Sequence, residues 1–233
     1  MDSPRTLTLV LFDIDGTLLD VHGAGRRAFV KAIEPVFGWK DDCEYVRFSG
    51  STDLDILRQI AERHGHTPSR KEIDAFFDRL SVELEKNMAT ARLTLHPGVR
   101  ELLAVLSQDR RALVGLLTGN VEAGARIKLK HFNLHGHFVL GAFGHEHGDR
   151  REIARLAFQR AEQHAGKQRI ASRYLIGDTP NDIAAARAID AICIAVATGK
   201  FTTESLLDAG ADHAVRDLSD TNRVLELIGL NPL

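Results

Sequence analysis

Two rhythms of hydrophobic and polar positions divide this 233-residue chain. Residues 7–12 form an apolar run, interrupted only by Thr8, of the length of a buried strand, and the run ends at once in acids. From about residue 20 to residue 91 the apolar positions recur at helical spacing. Ala28, Phe29, Ala32, Ile33, Val36 and Phe37 predict a helix over 25–37, which Pro35 should kink or end early and Gly38 should stop. Leu54, Leu57, Ile60 and Ala61 predict a second, capped by Ser51 or Thr52 and ended by Gly65. Ile73, Phe76, Phe77, Leu80 and Leu84 share a stripe on a third that starts near Ser69, with the Phe76 and Phe77 pair inside its core. No strand is expected in this block.

Beyond residue 92 strands and helices alternate. Apolar runs at 112–117, 138–140, 174–176, 191–196 and 213–215 read as strands. Helical patterns fall at 97–106, up to about 132, at 150–164, 183–188, 203–209 and 220–228. Such alternation predicts an α/β fold, a doubly wound, Rossmann-like parallel sheet with helices on both faces. The expected organisation is a discontinuous core of residues 1–19 and 92–233, with an α-helical cap, residues 20–91, inserted after the first strand. There is no internal repeat and no low-complexity segment.

Composition narrows the class of function. Charged residues at 27% and hydrophobic ones at 44% are ordinary for a globular protein, and a net charge of −2 supplies no basic face for nucleic acid. Cys43 and Cys193 stand too far apart in sequence for a disulfide framework or a zinc knuckle, which favours a reducing, cytoplasmic setting. The first five residues lead into a run too short for a signal peptide, and no segment approaches a membrane span.

The chemistry gathers where strands end. Asp13 and Asp15 close the first strand, and two desolvated like charges call for a cation. Continued strand geometry would put both on one side, where, with one hard cation, Asp13 can act as nucleophile and Asp15 as proton shuttle. Thr118, Gly119 and Asn120 close the strand over 112–117. Asp178 and Asp182 follow the strand over 174–176. Open α/β sheets bind ligands beyond these carboxyl ends.

In this order the three clusters resemble the motifs of the haloacid dehalogenase superfamily of hydrolases. Phe12-Asp13-Ile14-Asp15-Gly16-Thr17-Leu18 is similar to its first motif, Leu116-Leu117-Thr118-Gly119-Asn120 to its second, and Ile176-Gly177-Asp178-Thr179-Pro180-Asn181-Asp182 to its fourth. The helical insert sits where the phosphoglycolate-phosphatase-like branch carries its cap. The resemblance implies a magnesium-dependent phosphatase acting on a small phosphorylated metabolite through an aspartyl-phosphate on Asp13, with Asp15 as acid and base. Mg2+ would be held by Asp13, the Asp15 backbone carbonyl, Asp178 and, directly or through water, Asp182. Thr118, Gly119 and Asn120 would hold phosphate oxygens, with Thr17 and Gly50 also in the substrate site. The second acid favours phosphate esters over organohalides, because a halide leaving group needs no proton.

One departure stands out. Relatives place a lysine and a proline before the helix that here begins near Arg150, and residues 145–151 contain no lysine. The first choice for the missing cation is Lys128, on the helix leaving the Thr118 strand, and Arg150 and Arg151 are the next candidates. His131, His135, His137, His145 and His147 are expected to be surface histidines and not zinc ligands, with His145 or His147 at the site rim. Arg47 is a candidate for a substrate carboxylate or second phosphate. The alternatives are a phosphosugar mutase with the same acids, or a non-catalytic phosphometabolite-binding protein. No nucleic acid or membrane partner is expected, and the chain is read as a monomer or homodimer.

Overall fold

A computed structural model of the chain describes residues 6–230, so the N-terminal residues 1–5 read above for a signal lie outside the described residues. Six strands form one parallel sheet: β1 (Thr6–Phe12), β4 (Ala112–Leu117), β5 (Leu140–Ala142), β6 (Arg169–Gly177), β7 (Ile192–Val196) and β8 (His213–Val215). Their order is β5-β4-β1-β6-β7-β8. The chain therefore builds outward from β1 on one side, then restarts at β6 on the other. That places the reversal of winding between β1 and β6, where a ligand crevice opens in this class of sheet.

Alternation along β1 divides the core. Val10 and Phe12 bury on one face with α4 (Val99–Gln108), α5 (Glu122–His131) and α9 (Thr221–Leu227). Leu7, Leu9 and Leu11 bury on the other with α6 (Arg150–Ala165), α7 (Pro180–Arg187) and α8 (Thr203–Asp208). A strand covered on both faces has no polar side to show, hence its apolar run over residues 9–12.

Between β2 (Leu19–Asp20) and β3 (Thr94–Leu95) the chain forms α1 (Ala24–Phe37), α2 (Asp53–Arg63) and α3 (Arg70–Met88). Thr52 caps α2, and Ser69 with Glu72 makes a capping box on α3. Phe76 and Phe77 are buried beside Phe29, as their stripe predicts.

Three departures from the local expectations stand out. Pro35 does not end α1, which runs to Phe37 and stops at Gly38 in the left-handed conformation, φ 74°. The strand expected at 138–140 lies at Leu140–Ala142, after a short 3-10 turn over His135–His137, because pairing with β4 and not hydrophobicity sets its register. The antiparallel β2 and β3 ribbon, where the helical segment leaves and rejoins the sheet, is two residues long on each side and has no period to read.

Both cysteines are buried and free. Among the described residues, no helix is long and apolar enough to cross a membrane.

Candidate active site

Register brings the chemistry together. Phe12 pairs with Leu116 on β4 and with Ile176 on β6, so the residues that follow each strand emerge side by side. The strand ends at Phe12, and the two acids after it line the same cavity but meet different cations. Asp13 is buried and meets Arg150 at 2.9 Å, whereas Asp15 meets Lys128 at 2.6 and 2.8 Å. Each carboxylate has its own cation.

Arg150 opens α6, next to the cap residue Asp149. A cation at a helix N-terminus opposes the helix dipole, so its position depends on the carboxylates it faces. Its guanidinium also binds Asp182 at 2.5 Å, and its Nε is buried with no hydrogen-bond partner. Asp182 is held in turn by a capping box at the start of α7: its Oδ2 accepts from the Thr179 amide at 3.0 Å and the Thr179 hydroxyl at 2.7 Å. Arg150, and not Lys128, is therefore the cation beside Asp13. Lys128 belongs to Asp15 and to Asn120, whose Oδ1 accepts from it at 2.6 Å. Arg151 turns away to pair with Asp149.

Asp178 closes the crevice from β6. Gly16 and Gly199 press against its carboxylate, and a Cβ on Gly16 would sit 2.3 Å from Asp178 Oδ2, at a φ of 82° that itself favours glycine. The Thr17 hydroxyl is buried and donates to Asp178 Oδ1 at 3.4 Å, so it supports the acid and does not line the cavity. Oxygens of Asp13, Asp178 and Asp182 lie within 4.8 Å of one another, all buried. Burial pushes Asp13 up to about 6 against the pull of Arg150, with Asp182 and Asp15 adding to the rise. Burial, then Asp182 and Asp13, push Asp178 up to about 8. Three carboxylates against one guanidinium leave a deficit of positive charge in an all-oxygen donor set, which fits a hard divalent cation. Asp182 has its oxygens committed to Arg150 and Thr179, so Asp13 and Asp178 are the freer ligands.

On the β4 side, Thr118 is fully buried and accepts from the Asn120 side-chain amide at 2.8 Å, while that amide also donates to Asp15 Oδ2 at 2.7 Å. Residues 50–54 of the helical segment seat directly on this turn. The Asp53 amide donates to the Gly119 carbonyl at 2.7 Å, and a Cβ on Gly119 would sit 2.1 Å from the Ser51 carbonyl oxygen. The Gly50 carbonyl accepts from Asn181 at 2.8 Å.

Asp53 also accepts from the Val121 amide at 2.7 Å. Burial pushes this partly buried carboxyl up to about 7, with Lys128 and the Val121 amide opposing and Asp15 adding to the rise. Between its unfolded value and about 7 the folded protein holds a proton that the unfolded chain has released, so stability falls as pH rises through that window. Asp53→Asn keeps an acceptor for Val121 and removes the titration. Its thermal midpoint should gain on the parent's as pH rises from about 5 to about 8. A gap that stays constant across that range would show that Asp53 ionises normally.

A cavity of about 300 Å³ lies over these groups, lined by Asp13, Asp15, Thr118, Lys128, Arg150 and Asp178 on the sheet side. Arg47 does not line it and instead lies over the Phe201 ring; Arg26 of α1 does. Neither His145 nor His147 lines it. His131, His135 and His147 are exposed, His137 contacts Ser107, and no histidine joins the one metal-competent cluster found among the described residues. Sequence reasoning missed Arg26, Phe48 and Lys200, which line the cavity, and the Asp53 carboxylate, which Asp-x-Asp after a capping threonine disguises as ordinary helix capping.

A family profile for haloacid dehalogenase-like hydrolases matches residues 10–187. Among curated proteins, the chain is 29% identical to "Probable phosphatase IndB" of Dickeya dadantii, over 91% of this chain and 96% of that protein. It is also 29% identical to a phosphoglycolate phosphatase of Synechococcus elongatus, over 91% and 93% respectively. A crystal structure of a hydrolase from Pseudomonas syringae superposes with a TM-score of 0.71 at 21% identity, covering 96% of this chain and 99% of that one, which shows a shared fold.

Proposed function

The chain belongs to the haloacid dehalogenase-like hydrolases, and from that premise we propose that it is a magnesium-dependent phosphatase of small phosphomonoesters. The observation that carries this reading is Asp15: a second acid held by Lys128 and Asn120 on the cavity wall, its side chain 41% exposed, beside a buried Asp13. Departure of an alkoxide needs a proton donor in that place, and departure of a halide does not.

Asp13 attacks phosphorus in line, the bond to the leaving oxygen breaks, and Asp15 delivers the proton that the alkoxide takes. Water then attacks the aspartyl-phosphate, Asp15 accepts its proton, and Asp13 is regenerated as inorganic phosphate leaves. The Thr118 hydroxyl, the amides of Gly119 and Asn120 and the unpartnered Arg150 Nε are the donors assigned to phosphate oxygens. Mg2+ would be held by Asp13, Asp178 and the Asp15 carbonyl, and would supply charge neutralisation for the phosphate. Asp182 acts through Arg150. Residues 20–91 act as the cap that closes the site to water and meets the leaving group. Two free buried cysteines accord with a reducing compartment.

The test is phosphate release by the purified protein from a panel of small phosphomonoesters, with and without magnesium. Metal-dependent release is expected, and a folded protein that releases nothing from any ester refutes the hydrolase. Lys128→Ala, which frees Asp15, should lower kcat/KM by roughly 10²-fold. Exposed Lys130→Ala should change it little. Equal losses in the two variants would remove Lys128 from the site.

A further inference from the structure

We propose that the ester this site takes carries an apolar leaving group, a phenylalkyl or branched alkyl alcohol, in preference to a sugar or a carboxylate; this rests on the phosphatase reading above. The cavity of about 300 Å³ has room well beyond the phosphate end, given that a single water needs only ~10–15 Å³ of such space. Opposite the acids it is walled by Val21, Phe29, Phe48, Ile56, Leu80 and Leu84, drawn from all three inserted helices and the segments flanking them. Phe29 and Phe48 meet edge to face at 5.3 Å, a packing that presents ring surface to a third apolar group.

Most polar groups beside this wall already have partners. The Asp53 carboxylate takes the Val121 amide at 2.7 Å, and the Asp20 carboxylate takes the His22 amide at 2.5 Å. Ser51 donates its hydroxyl to the Arg47 carbonyl at 2.8 Å. Arg26 donates to the Asp42 carbonyl at 3.3 Å with its guanidinium 5.7 Å from the Phe48 ring centre. The remaining charged residue there, Lys200, is exposed and lies on the loop after β7. A sugar seated here would bury hydroxyls against hydrocarbon, at about 1–3 kcal/mol for each left unpaired. A carboxylate would face Asp20 and would have to draw Arg26 from its present contacts. An apolar group gains from the same surface.

The discriminating substrates are esters of unactivated alcohols, so that leaving-group reactivity does not decide the ranking. With magnesium, phenethyl and isopentyl phosphate should show kcat/KM at least about 10-fold above phosphoglycolate, pentose phosphate and hexose phosphate, as burial of one large apolar side chain's worth of surface implies. Phe48→Ser should raise KM for phenethyl phosphate by about 10-fold with a smaller change in kcat, and Phe48→Leu should restore most of it. A preference for any sugar phosphate or for phosphoglycolate overturns the inference while leaving the phosphatase intact. Calorimetry with non-hydrolysable phosphonates separates the two readings even without turnover. Phenethylphosphonate should bind at least about 10-fold tighter than phosphonoacetate; equal or reversed affinities overturn the inference, and the expected order in an enzyme that hydrolyses nothing refutes the phosphatase alone.

Discussion

Asp13→Asn is expected to lower kcat by at least about 10⁴-fold, the scale on which a covalent nucleophile acts. The fold should survive. Arg150 still has Asp182 at 2.5 Å, and asparagine replaces a carboxyl that burial already pushes up to about 6. Thermal unfolding should therefore shift little, which separates a chemical defect from a structural one. Acid quench of the parent during turnover, followed by mass analysis, should find phosphate on Asp13 and nowhere on the variant. Retained activity, or phosphate trapped on another residue, would place the nucleophile elsewhere.

Arg150→Met should damage both stability and rate. The guanidinium is 6% exposed and serves two buried carboxylates, Asp13 at 2.9 Å and Asp182 at 2.5 Å. Removing one member of such a group leaves uncompensated charge, a loss of about 3–5 kcal/mol in unfolding free energy. The rate should fall by about 10²–10³-fold where protein remains folded, because a donor to the phosphate oxygens goes with it. Arg150→Lys should recover part of the stability and less of the rate, since one ammonium is a compact point charge and not a fork that reaches two carboxylates. Urea unfolding and steady-state kinetics on both variants check this. If Arg150→Met unfolds at the parent's urea concentration, the buried ion cluster is not what holds Asp13.

How far the site could be read from sequence differs from residue to residue. Asp13, Thr118 and Asp178 were readable because each directly follows a strand, and parallel strands in register bring their ends to one edge. The helical stripe of Ile73, Phe76, Leu80 and Leu84 was readable for the same kind of reason: a 3.6-residue period is a local property. Arg150 was not singled out over Lys128, because both lie on helices that leave the site. Which carboxylate each one reaches depends on how α5 and α6 pack on the sheet.

Periodicity and strand-end motifs in the sequence by itself determined the parallel α/β sheet, the run of helices that follows its first strand and the residue types at the crevice. Tertiary structure alone decided the rest. It divided Asp13 and Asp15 between two cations, seated Asp53 against the turn after β4, made Thr17 a support for Asp178, and set Phe29, Phe48 and Leu80 around one cavity. Backbone periodicity is written every two or four residues and survives in sequence. Contacts between side chains tens to more than a hundred residues apart follow from the packing of whole elements, and that packing leaves no spacing along the chain.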